Sequence, residues 1–485
     1  MLQHLWFRFI RLRQGKNGRL NRSGEWSWVN VYCTLWPDMM TAPRYLPVLM
    51  MALWLFLLYP SIAAAGAWPG DAIGDGFGVQ VKPERTNSVD LRRIKAAGFN
   101  YVRYDMDWGL VERQIGVYDW LTYDRFIGAL RTQHLKSLII LDGSNPRYEP
   151  QVKMQPQDNY GYDHAYAAPS DNRTVRGFAA FAAAAAKRYG TDDVIWEIWN
   201  EPDMGGSWPP RPDAKAFSAL TMATCQALRQ VAPKAIILGP AIARLPDPGD
   251  SSNMGFLTTF LQLSSASCLD AFSIHPYRAS EQPPEFAIPD YTIKVRRFLA
   301  ENMPKDKKPL PLVDSEWGYS SSEVTATQQA AYALRIRLAD VLSGIPLTIL
   351  YEWQDSAGML EEREKHFGII DASKTSKPAG KLVERLLPLI KDAVVVRRIE
   401  VQPQDCFAVL IKQPTGRYQL LFWVGRTALG NTPAFIRVGS GASSARVLPL
   451  SLTPQLAELS SPSPDVTVVG APPPPPKSLE APRQP

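Results

Sequence analysis

Two glutamates in the stretch VIWEIWNEPD, residues 194–203, stand where a buried strand should carry apolar side chains. Glu197 lies inside the β-branched and aromatic run, and Glu201 follows it directly before a proline. Burying an ionised carboxylate costs several kcal/mol unless the group is paired or performs chemistry. A third glutamate, Glu316, ends another strand-like run, LPLVDSEWG. Glycosidic bonds are hydrolysed by one carboxyl group that keeps its proton and a second that is ionised, so Glu201 and Glu316 are the candidate catalytic pair.

Side chains that suit a sugar ligand occur near these glutamates in the predicted fold. Asn200, next to Glu201, is placed to hydrogen-bond a sugar 2-hydroxyl, a contact that strengthens in the transition state. Aromatic rings can stack on the C–H faces of sugars, although any one of them could equally be a core residue. The candidate rings are Trp108, Tyr148, Trp208, Trp317, Tyr319 and Trp353.

The elements that must position these residues alternate along the chain from Phe77 onward. Short β-branched runs are followed by helical patterns such as RGFAAFAAAAAKRYG (176–190), which ends on a glycine as helices often do. Eight strands alternating with helices predict a parallel (β/α)8 barrel. The alternative, a doubly wound open sheet, should have a Gly-rich phosphate turn after its first strand, and VQVKPERTN has none. The predicted strands are FGVQV (from 77), NYVRYDM (100), KSLIIL (136), VIWEIWN (194), AIILGP (235), AFSIHPY (271), LPLVDSEWG (310) and LTILYEW (347).

Polar residues cluster at the carboxyl ends of the predicted strands, where the active sites of such barrels form. A random scatter would not favour one end of each strand, so these positions indicate a single functional mouth. They are Arg103 and Asp105 on strand two, Asn145 after strand three, Asn200 and Glu201 on strand four, His275 and Tyr277 on strand six, Glu316 and Trp317 on strand seven, and Glu352 and Trp353 on strand eight.

Changes of pattern divide the 485-residue chain into four parts. Residues 68–392 are the predicted catalytic barrel. Over 393–470, short strands such as CFAVLIKQ and RYQLLFWVG alternate with turn residues and predict a small antiparallel, sandwich-like β-domain. Residues 471–485 are rich in proline and are expected to be extended and disordered. Residues 1–67 form an N-terminal extension that contains a targeting segment.

The targeting segment is the apolar run LPVLMMALWLFLLY, residues 46–59. Overlapping Ala-x-Ala sites that end at Ala65 and Ala67 complete a secretory signal pattern. The run is far from the first residue but at an ordinary distance from Met39 or Met40, which favours a downstream start. Alternatively, the run is an uncleaved membrane anchor after a basic cytoplasmic segment. Both interpretations export the rest of the chain, so we expect a secreted, periplasmic or anchored protein.

The net charge and the cysteine content give no indication of a nucleic-acid-binding, metal-binding or disulfide-rich protein. The formal charge is +6, but residues 1–65 hold seven basic and two acidic residues, which leaves 46 basic against 45 acidic residues. A nearly neutral body gives no reason to expect a nucleic acid as partner. Cys225, Cys268 and Cys406 are too few for a disulfide framework and lack metal-ligand spacing. Cys225 and Cys268 could form one bridge, but three buried free thiols is the interpretation that we favour.

WEIWNEPD together with the later VDSEWGYS resembles the retaining glycoside hydrolases of clan A, most of all family 39 and then family 5. The resemblance covers about residues 77–392. It implies that Glu201, at the end of strand four, is the acid/base and that Glu316, at the end of strand seven, is the nucleophile. A β-domain beside the barrel is also found in family 39. Further residues that match the clan are Arg103, His275, Tyr277 and Trp353.

Other charged residues near the pair are expected to support it. Glu197 stands four residues before Glu201, an even step that points both side chains to one side of a strand, so it should lie deeper and pair with Arg103. Tyr277 should hydrogen-bond Glu316 and keep it ionised, and His275 should fix the network around them. Four more acids are expected to contribute less: Asp105 and Asp107 as solvated loop acids, Asp314 as a supporting residue at most, and Glu352 as a side chain that points away.

The sequence therefore predicts a secreted retaining β-glycosidase that acts on a carbohydrate without a metal ion or organic cofactor. Glu316 would attack the anomeric carbon while Glu201 protonates the leaving oxygen and then activates water. The two carboxyl groups should lie roughly 5 to 5.5 Å apart. A long loop over residues 145–170 is expected to shape the cleft. Two alternatives stay open, a transglycosylase and a non-hydrolytic glycan-binding barrel that serves polysaccharide export or the cell envelope.

Overall fold

The computed structural model describes residues 66–155, 163–244, 251–263, 265–277, 282–307, 309–356, 362–426, 434–439 and 445–470. The predicted targeting segment and the predicted Pro-rich tail lie outside the described residues, within 1–65 and 471–485. In the described parts of the chain, no helix has the length and apolar character needed to cross a membrane.

Eight parallel strands close into a barrel, which confirms the predicted fold class. Neighbours in the barrel follow the order of the chain, and the first strand closes on the last with Phe77 opposite Thr348. The barrel strands are β1 (Phe77–Gln80), β2 (Tyr101–Asp107), β3 (Lys136–Asp142), β6 (Val194–Ile198), β7 (Ile236–Ile242), β8 (Ala271–Ile274), β9 (Leu312–Trp317) and β10 (Thr348–Leu350). A hairpin of β4 (Gln151–Lys153) and β5 (His164–Tyr166) is inserted after the third barrel strand.

Helices follow the barrel strands, and the first of them, α1 (Ser88–Ala97), shows how the sequence fixes helix ends. The Asn87 side chain accepts hydrogen bonds from the backbone N–H groups of Val89 and Asp90, and the Asp90 carboxylate accepts one from Asn87 in return. Gly98 ends the helix at φ +103°, a conformation that favours glycine. The other helices are α2 (Trp108–Val111), α3 (Leu121–Thr132), α4 (Asn172–Tyr189), α5 (Ala214–Val231), α6 (Ser251–Gln262), α7 (Pro284–Asn302), α8 (Ala326–Leu342), α9 (Glu362–Lys365) and α10 (Pro378–Ile390).

The amino-terminal end of the barrel, its base, is closed by apolar side chains. Ala67 lies there and is 2% exposed, and its carbonyl oxygen accepts a hydrogen bond from the Tyr101 hydroxyl. The carbonyl oxygen of Gly66 accepts another from Lys136, at 2.8 Å. This packing leaves the polar inward-facing groups at the opposite end, the mouth. The buried side chains that pack with Ala67 are Tyr101, Leu138, Ile195, Leu238, Ala271, Val313, Leu347 and Ile349.

Two antiparallel sheets follow the barrel, as predicted for the carboxyl-terminal region. The first contains β11 (Val394–Ile399), β12 (Cys406–Lys412), β13 (Tyr418–Val424) and β16 (Gln455–Leu459) in that order, and the second has β14 (Phe435–Gly439) between β15 (Arg446–Pro449) and β17 (Asp465–Val469). The sequence pattern missed β16, because in QLAEL only Ala457 is buried and the strand pairs along one side with β13.

A buried arginine joins the β-domain to the barrel helices. Arg335 on α8 is 0% exposed and donates to both carboxylate oxygens of Glu285 on α7. The indole nitrogen of Trp423 donates to the same carboxylate, at 2.8 Å. The remaining Arg335 donors bond to backbone carbonyl oxygens of the β-domain, those of Val424, Gly425 and Leu452.

A disulfide joins Cys225 on α5 to Cys268, which ends a short 3-10 helix before β8. Cys406 is free and buried. The favoured interpretation of three free thiols is therefore wrong for the first two cysteines. The fold packs the two helical segments together and brings the Cα atoms within 6.1 Å, although 43 residues separate the cysteines in the sequence.

Candidate active site

Arg103 on β2 lies at the centre of the barrel mouth, and each of its five N–H groups has an acceptor. Its side chain is fully buried, and it donates to Glu197 at 2.8 Å and to Glu316 at 2.6 Å. Burial opposes the charge of the guanidinium, but Glu197 and Glu316 favour it more strongly and raise the pKa of Arg103. The expected pairing of Arg103 with Glu197 is thus present. The other three acceptors are Oε1 of Gln80 at 3.0 Å, Oδ1 of Asn200 at 2.9 Å and Nε2 of His275 at 3.3 Å.

The backbone turns sharply where β6 ends, and this turn presents Asn200 and Glu201 to the mouth. Trp199 has φ +65° and Glu201 has φ +47°, both in the left-handed region that side chains other than glycine adopt at a cost. The Glu201 N–H donates to the carbonyl oxygen of Ala241 on β7 at 3.1 Å, and its own carbonyl accepts from Met204 at 2.9 Å. These two hydrogen bonds hold the strained turn in place.

His275, which follows β8, fixes the carboxyl group of Glu201. Its Nδ1 lies 2.8 Å from Oε1 of Glu201, and its Nε2 faces the guanidinium of Arg103. Because a guanidinium only donates, Nε2 must accept, so Nδ1 carries the ring proton and donates it to Glu201. Burial lowers the pKa of His275, which favours this neutral ring. The carboxyl group thus receives a fixed hydrogen bond on Oε1, which leaves Oε2 as the oxygen that carries a proton.

Glu201 itself has the acidity of a general acid at neutral pH. Burial raises its pKa to about 7, although the positive charges of Arg103 and Arg363 act in the opposite direction. An ordinary glutamate would be ionised at this pH. Glu201 is therefore half protonated near pH 7 and can deliver a proton.

Glu316 is held from two directions as a carboxylate. Arg103 donates to its Oε2, and the Tyr277 hydroxyl donates to its Oε1 at 3.0 Å, the contact expected from the sequence. The side chain is 13% exposed, so one face stays open to the mouth. One oxygen of Glu316 lies within 4.8 Å of an oxygen of Glu201.

A β-bulge in β9 turns Glu316 toward the mouth and Asp314 away from it. Asp314 pairs with Thr348 of β10, but the next pair is Trp317 with Leu350, so β9 contains one extra residue. Asp314 is fully buried against Asp340 on α8, and burial followed by the charge of Asp340 raises its pKa. The side chain of Asp314 therefore lies against α8, because the regular alternation that suggested an inward position is broken at the bulge.

Of the other acidic residues near the mouth, Asp105 and Asp107 lie in surroundings different from those that the sequence predicted. Asp105 and Asp107 are not solvated loop acids, since both lie in β2 and burial raises the pKa of each. Asp142, opposite Asp107 on β3, has a pKa raised to about 8 by burial and then by the charge of Asp105. Glu352 points away as expected and forms an ion pair with Lys82 at 3.4 Å.

The tryptophans expected to stack on sugar are core residues. Trp108 donates to Glu112, Trp208 packs edge-on against Trp199 with ring centroids 5.0 Å apart, and Trp317 lies 5.7 Å from the ring of Tyr319. The four predicted tryptophans, Trp108, Trp208, Trp317 and Trp353, are at most 2% exposed.

At the end of β10, Tyr351 approaches the catalytic candidates and Trp353 does not. The indole of Trp353 lies under the guanidinium of Arg93 on α1, at 5.5 Å, and is 1% exposed. Tyr351 is half-buried, and burial, then Glu352, then Glu316 raise its pKa. Tyr351 is therefore an aromatic ring near Glu316 that the sequence reasoning did not include.

The segment around α9 adds residues that sequence reasoning missed. The Arg363 guanidinium lies 5.4 Å from the ring centre of Tyr277 and 4.7 Å from that of Phe367, and it donates to Glu364 at 2.7 Å. Burial raises the pKa of Glu364, Arg363 lowers it, and the two catalytic candidates raise it again through their charges. Glu364 is thus a third carboxylate near the pair. The signal was the charge-dense run EEREKH, residues 361–366, in the segment between the last barrel strand and the last helix.

The donor set at the mouth does not fit a metal ion. Glu201, His275 and Glu316 place ligand-type atoms within 4.8 Å of one another. However, the Arg103 guanidinium already contacts Glu316 and His275, and both ring nitrogens of His275 are used. A cation bound there would meet a fixed positive charge, so Arg103 occupies the electrostatic role that a metal would have.

Comparisons with known proteins give a family and a fold. Residues 71–343, more than half of the chain, match the family described as Cellulase (glycosyl hydrolase family 5). No curated protein matches the chain. A family 39 glycoside hydrolase from the gut symbiont Bacteroides cellulosilyticus WH2 has TM-score 0.63 and 21% identity, over 80% of this chain and 81% of that one. A family 39 β-xylosidase from Caulobacter crescentus has TM-score 0.54 and 21% identity, over 77% and 84%. At these identities the likeness concerns the fold.

Proposed function

The chain belongs to the cellulase family of glycosyl hydrolases, family 5, and on that basis we propose that it is a retaining β-glycosidase with Glu201 as acid/base and Glu316 as nucleophile. It is a glycoside hydrolase of clan A, as the sequence motifs predicted. Of the two families suggested by the motifs, family 5 provides the matching family model and family 39 provides similar folds. The substrate is a carbohydrate.

The observation that supports the mechanism is that the two carboxyl groups, those of Glu201 and Glu316, lie in different environments. Burial raises the pKa of Glu201 to about 7 and His275 fixes the position of its carboxyl group, while Glu316 accepts hydrogen bonds from Arg103 and Tyr277. In the first step Glu316 attacks the anomeric carbon, and Glu201 gives its proton to the leaving oxygen. In the second step Glu201, now ionised, takes a proton from the water that releases the sugar.

The proximity of the two carboxyl groups supports retention. Retaining enzymes keep the groups about 5 to 5.5 Å apart, whereas inverting enzymes leave about 6.5 to 9.5 Å for a water molecule. The oxygens of Glu201 and Glu316 that lie within 4.8 Å of each other suit the shorter gap. Asn200, held by Arg103 beside the acid, is oriented to bond the 2-hydroxyl of the sugar.

Azide rescue tests the two roles separately. We expect Glu201→Gln to form the glycosyl-enzyme from a dinitrophenyl β-glycoside, because this leaving group needs no proton, and then to stall, because no base activates water. Azide needs no base, so it should restore turnover and give a β-glycosyl azide. In Glu316→Ala the carboxylate is removed and leaves room for azide on that face of the sugar, so any product should be the α-azide.

The stereochemistry of the products, read by NMR, decides the assignment. Reversed azide configurations would mean that the two roles are exchanged, and wild-type turnover in both variants would place the chemistry elsewhere. The control is Glu352→Gln, because Glu352 is a buried glutamate that follows β10 and pairs with Lys82 instead of Arg103. Its turnover should need no azide. A protein that binds glycans without hydrolysis would give no product in any variant.

We further propose that the protein is exported and that its mature chain starts at Gly66. The apolar run 46–59 and the Ala-x-Ala sites after it support export, as does the disulfide between Cys225 and Cys268, since disulfides persist in oxidising compartments. A cut after Ala65 keeps Ala67 in the barrel base, whereas a cut after Ala67 would remove it.

Amino-terminal sequencing of the protein from its native cells tests this start. A chain that begins at Gly66 supports the proposal. A chain that begins at Trp68 would show that the base does not depend on Ala67, and soluble cytoplasmic protein with residues 1–65 intact would refute export. As a matched pair, recombinant chains that start at Gly66 and at Trp68 should differ in thermal midpoint, with the longer chain more stable.

A further inference from the structure

Two buried aspartates meet behind the strand that carries Glu316. Asp314 on β9 and Asp340 on α8 are both 0% exposed, and a hydrogen bond joins their carboxyl groups. We call these two residues the aspartate pair. Thr348 on β10 lies beside both, because it pairs with Asp314 in the barrel sheet and its hydroxyl donates to Oδ2 of Asp340 at 2.8 Å. The proposed mechanism uses neither carboxyl group.

The aspartate pair lacks the donors that two carboxylates would need. Three of its four oxygens, both of Asp314 and Oδ1 of Asp340, receive no hydrogen bond from an N–H or hydroxyl group of the described residues. These oxygens are also closed to water. A carboxylate only accepts hydrogen bonds, so a bond between two carboxyl groups requires a proton on one of them. The missing donor is therefore a proton of the pair itself.

The charges around the aspartate pair suit one carboxylate and not two. Arg337 on α8 is 2% exposed and donates to the hydroxyl of Thr348, which in turn donates to Asp340. This buried cation balances one carboxylate, whereas a second would be buried without a partner. Asp75 also acts on Arg337 but is partly exposed. Burial raises the pKa of both aspartates, but Thr348 and Arg337 lower that of Asp340. The proton therefore belongs on Asp314.

The aspartate pair lies where the β-bulge turns Glu316 toward the mouth. The extra residue of β9 lies between Asp314 and Trp317, so the bond from Asp314 to Asp340 ties the strand to α8 directly before the bulge. Glu316 also acts on the Asp314 carboxyl group, because its backbone N–H lowers the pKa of Asp314 and its charge raises it. We propose that Asp314 and Asp340 share one proton and that this hydrogen bond positions Glu316 for attack, a role that rests on the proposed function.

Infrared spectroscopy tests the shared proton without depending on activity. An ordinary aspartate is ionised at about pH 9, so a protonated carboxyl group gives a separate band there. We expect Asp314→Asn to lack one such band that wild type shows, because the amide N–H replaces the proton as donor to Asp340. The matched control is Asp90→Asn, since Asp90 is 1% exposed but receives hydrogen bonds from Lys374 and from the backbone N–H of Asn87. It should keep the band. Equal bands in Asp314→Asn and wild type would overturn the shared proton.

Single-turnover kinetics test the positioning of Glu316. With enzyme in excess, release of dinitrophenolate from the dinitrophenyl β-glycoside used for azide rescue reports the attack by Glu316, since this leaving group needs no proton. Asp314→Leu cannot bond to Asp340, so it should lower the maximal rate constant roughly 10- to 100-fold and change the half-saturating concentration less than about twofold. Asp314→Asn keeps a donor to Asp340 and should restore most of the rate.

A role in stability alone gives a different result. Asp90→Leu removes a buried carboxylate from the outer layer, so it should lower the thermal midpoint and leave the single-turnover rate of the folded protein unchanged. A wild-type rate in Asp314→Leu, or equal losses in Asp314→Leu and Asp314→Asn, would overturn the positioning role. Absence of dinitrophenolate release by wild type would refute the catalytic assignment instead, and the infrared band would still decide whether the aspartate pair shares a proton.

Discussion

Arg103 at the mouth and Arg335, which lies where the barrel meets the β-domain and which we call the seam arginine, are both fully buried and both use all five N–H groups. The seam arginine bonds to one carboxylate and to three backbone carbonyl oxygens. The mouth arginine bonds to five different side chains, two of them carboxylates. Carbonyl oxygens keep the same charge under all conditions, whereas Glu316 loses its charge when it binds a sugar. The two arginines are equally buried and equally hydrogen-bonded, but Arg335 contributes to stability whereas Arg103 contributes to the chemistry of the site.

The largest expected effect comes from replacing the arginine at the mouth. Arg103→Met should lower kcat/KM for an aryl β-glycoside by roughly 10³-fold, as the loss of a positioned donor does in other active sites. It should also lower the free energy of unfolding by about 3 to 5 kcal/mol, because Glu197 and Glu316 are left without their cation. Steady-state kinetics and urea unfolding measure the two effects.

Arg103→Lys is the companion variant, since it keeps the charge but not the five-donor geometry. It should recover more stability than activity. A methionine variant with turnover within about tenfold of wild type would contradict the role assigned to the mouth arginine.

The seam arginine should separate stability from chemistry. Arg335→Met leaves Glu285 buried with a single donor from Trp423, so the free energy of unfolding should fall by about 3 to 5 kcal/mol. Turnover per folded molecule should not change, because no contact of Arg335 reaches the mouth residues. Urea unfolding and active-site titration give the two numbers.

The double variant Arg335→Met with Glu285→Leu sharpens this result. It removes the stranded carboxylate and should recover part of the lost stability, as replacing both members of a buried pair does elsewhere. If turnover fell in step with stability, the two arginines would belong to one coupled network and the comparison would fail.

A smaller effect is expected from the hydroxyl that supports the nucleophile. Tyr277→Phe removes a hydrogen bond to a charged acceptor, worth about 1.5 to 3 kcal/mol, so kcat/KM should fall roughly 10- to 100-fold. Tyr319→Phe is the control, because the hydroxyl of Tyr319 donates to the backbone oxygen of Gln282 and not to a catalytic candidate. Equal losses in both variants would show that the Tyr277 contact has no special role.

The pH dependence of turnover is expected to come from the mouth, and within one pH unit of neutrality it is the smallest of these effects. Glu201 must be protonated to act as an acid, and its pKa is raised to about 7. For a substrate with a poor leaving group, kcat/KM should therefore fall as pH rises through about 7, by up to about tenfold for each further pH unit. Glu201→Gln should lose this limb, and a dinitrophenyl glycoside should show it weakly. A limb that persists in Glu201→Gln would belong to another group.

Features that depend on local pattern could be read from the sequence. β-branched runs gave the eight barrel strands, and the even step from Glu197 to Glu201 placed both on the inner side, where Glu197 meets Arg103. Most of the polar residues at strand ends likewise meet at one mouth, namely Arg103, Asn200, Glu201, His275, Tyr277 and Glu316, whereas Glu352 does not. These inferences succeeded because strand alternation and parallel order are short-range rules.

Features that depend on packing between distant segments could not be predicted from the sequence. One extra residue in β9 sends Asp314 to the outer layer, and nothing in VDSEWG marks the bulge. Position at a strand end does not reveal whether an indole faces the mouth or the helices, so Trp317 and Trp353 were misplaced. The disulfide of Cys225 and Cys268 also follows from helix packing across 43 residues.

The five acceptors of Arg103 come from four barrel strands or the turns after them, β1, β6, β8 and β9. For the design of variants, the residues around Arg103 therefore have to be kept together. A substitution on one of these strands leaves an N–H group of Arg103 without an acceptor, and the other three strands cannot replace it. Substrate preference should therefore be changed in segments that are attached to the mouth but make no hydrogen bonds with Arg103. The hairpin of β4 and β5 is such a part, and a directed library confined to it should change what is cleaved and leave intact the machinery that cleaves.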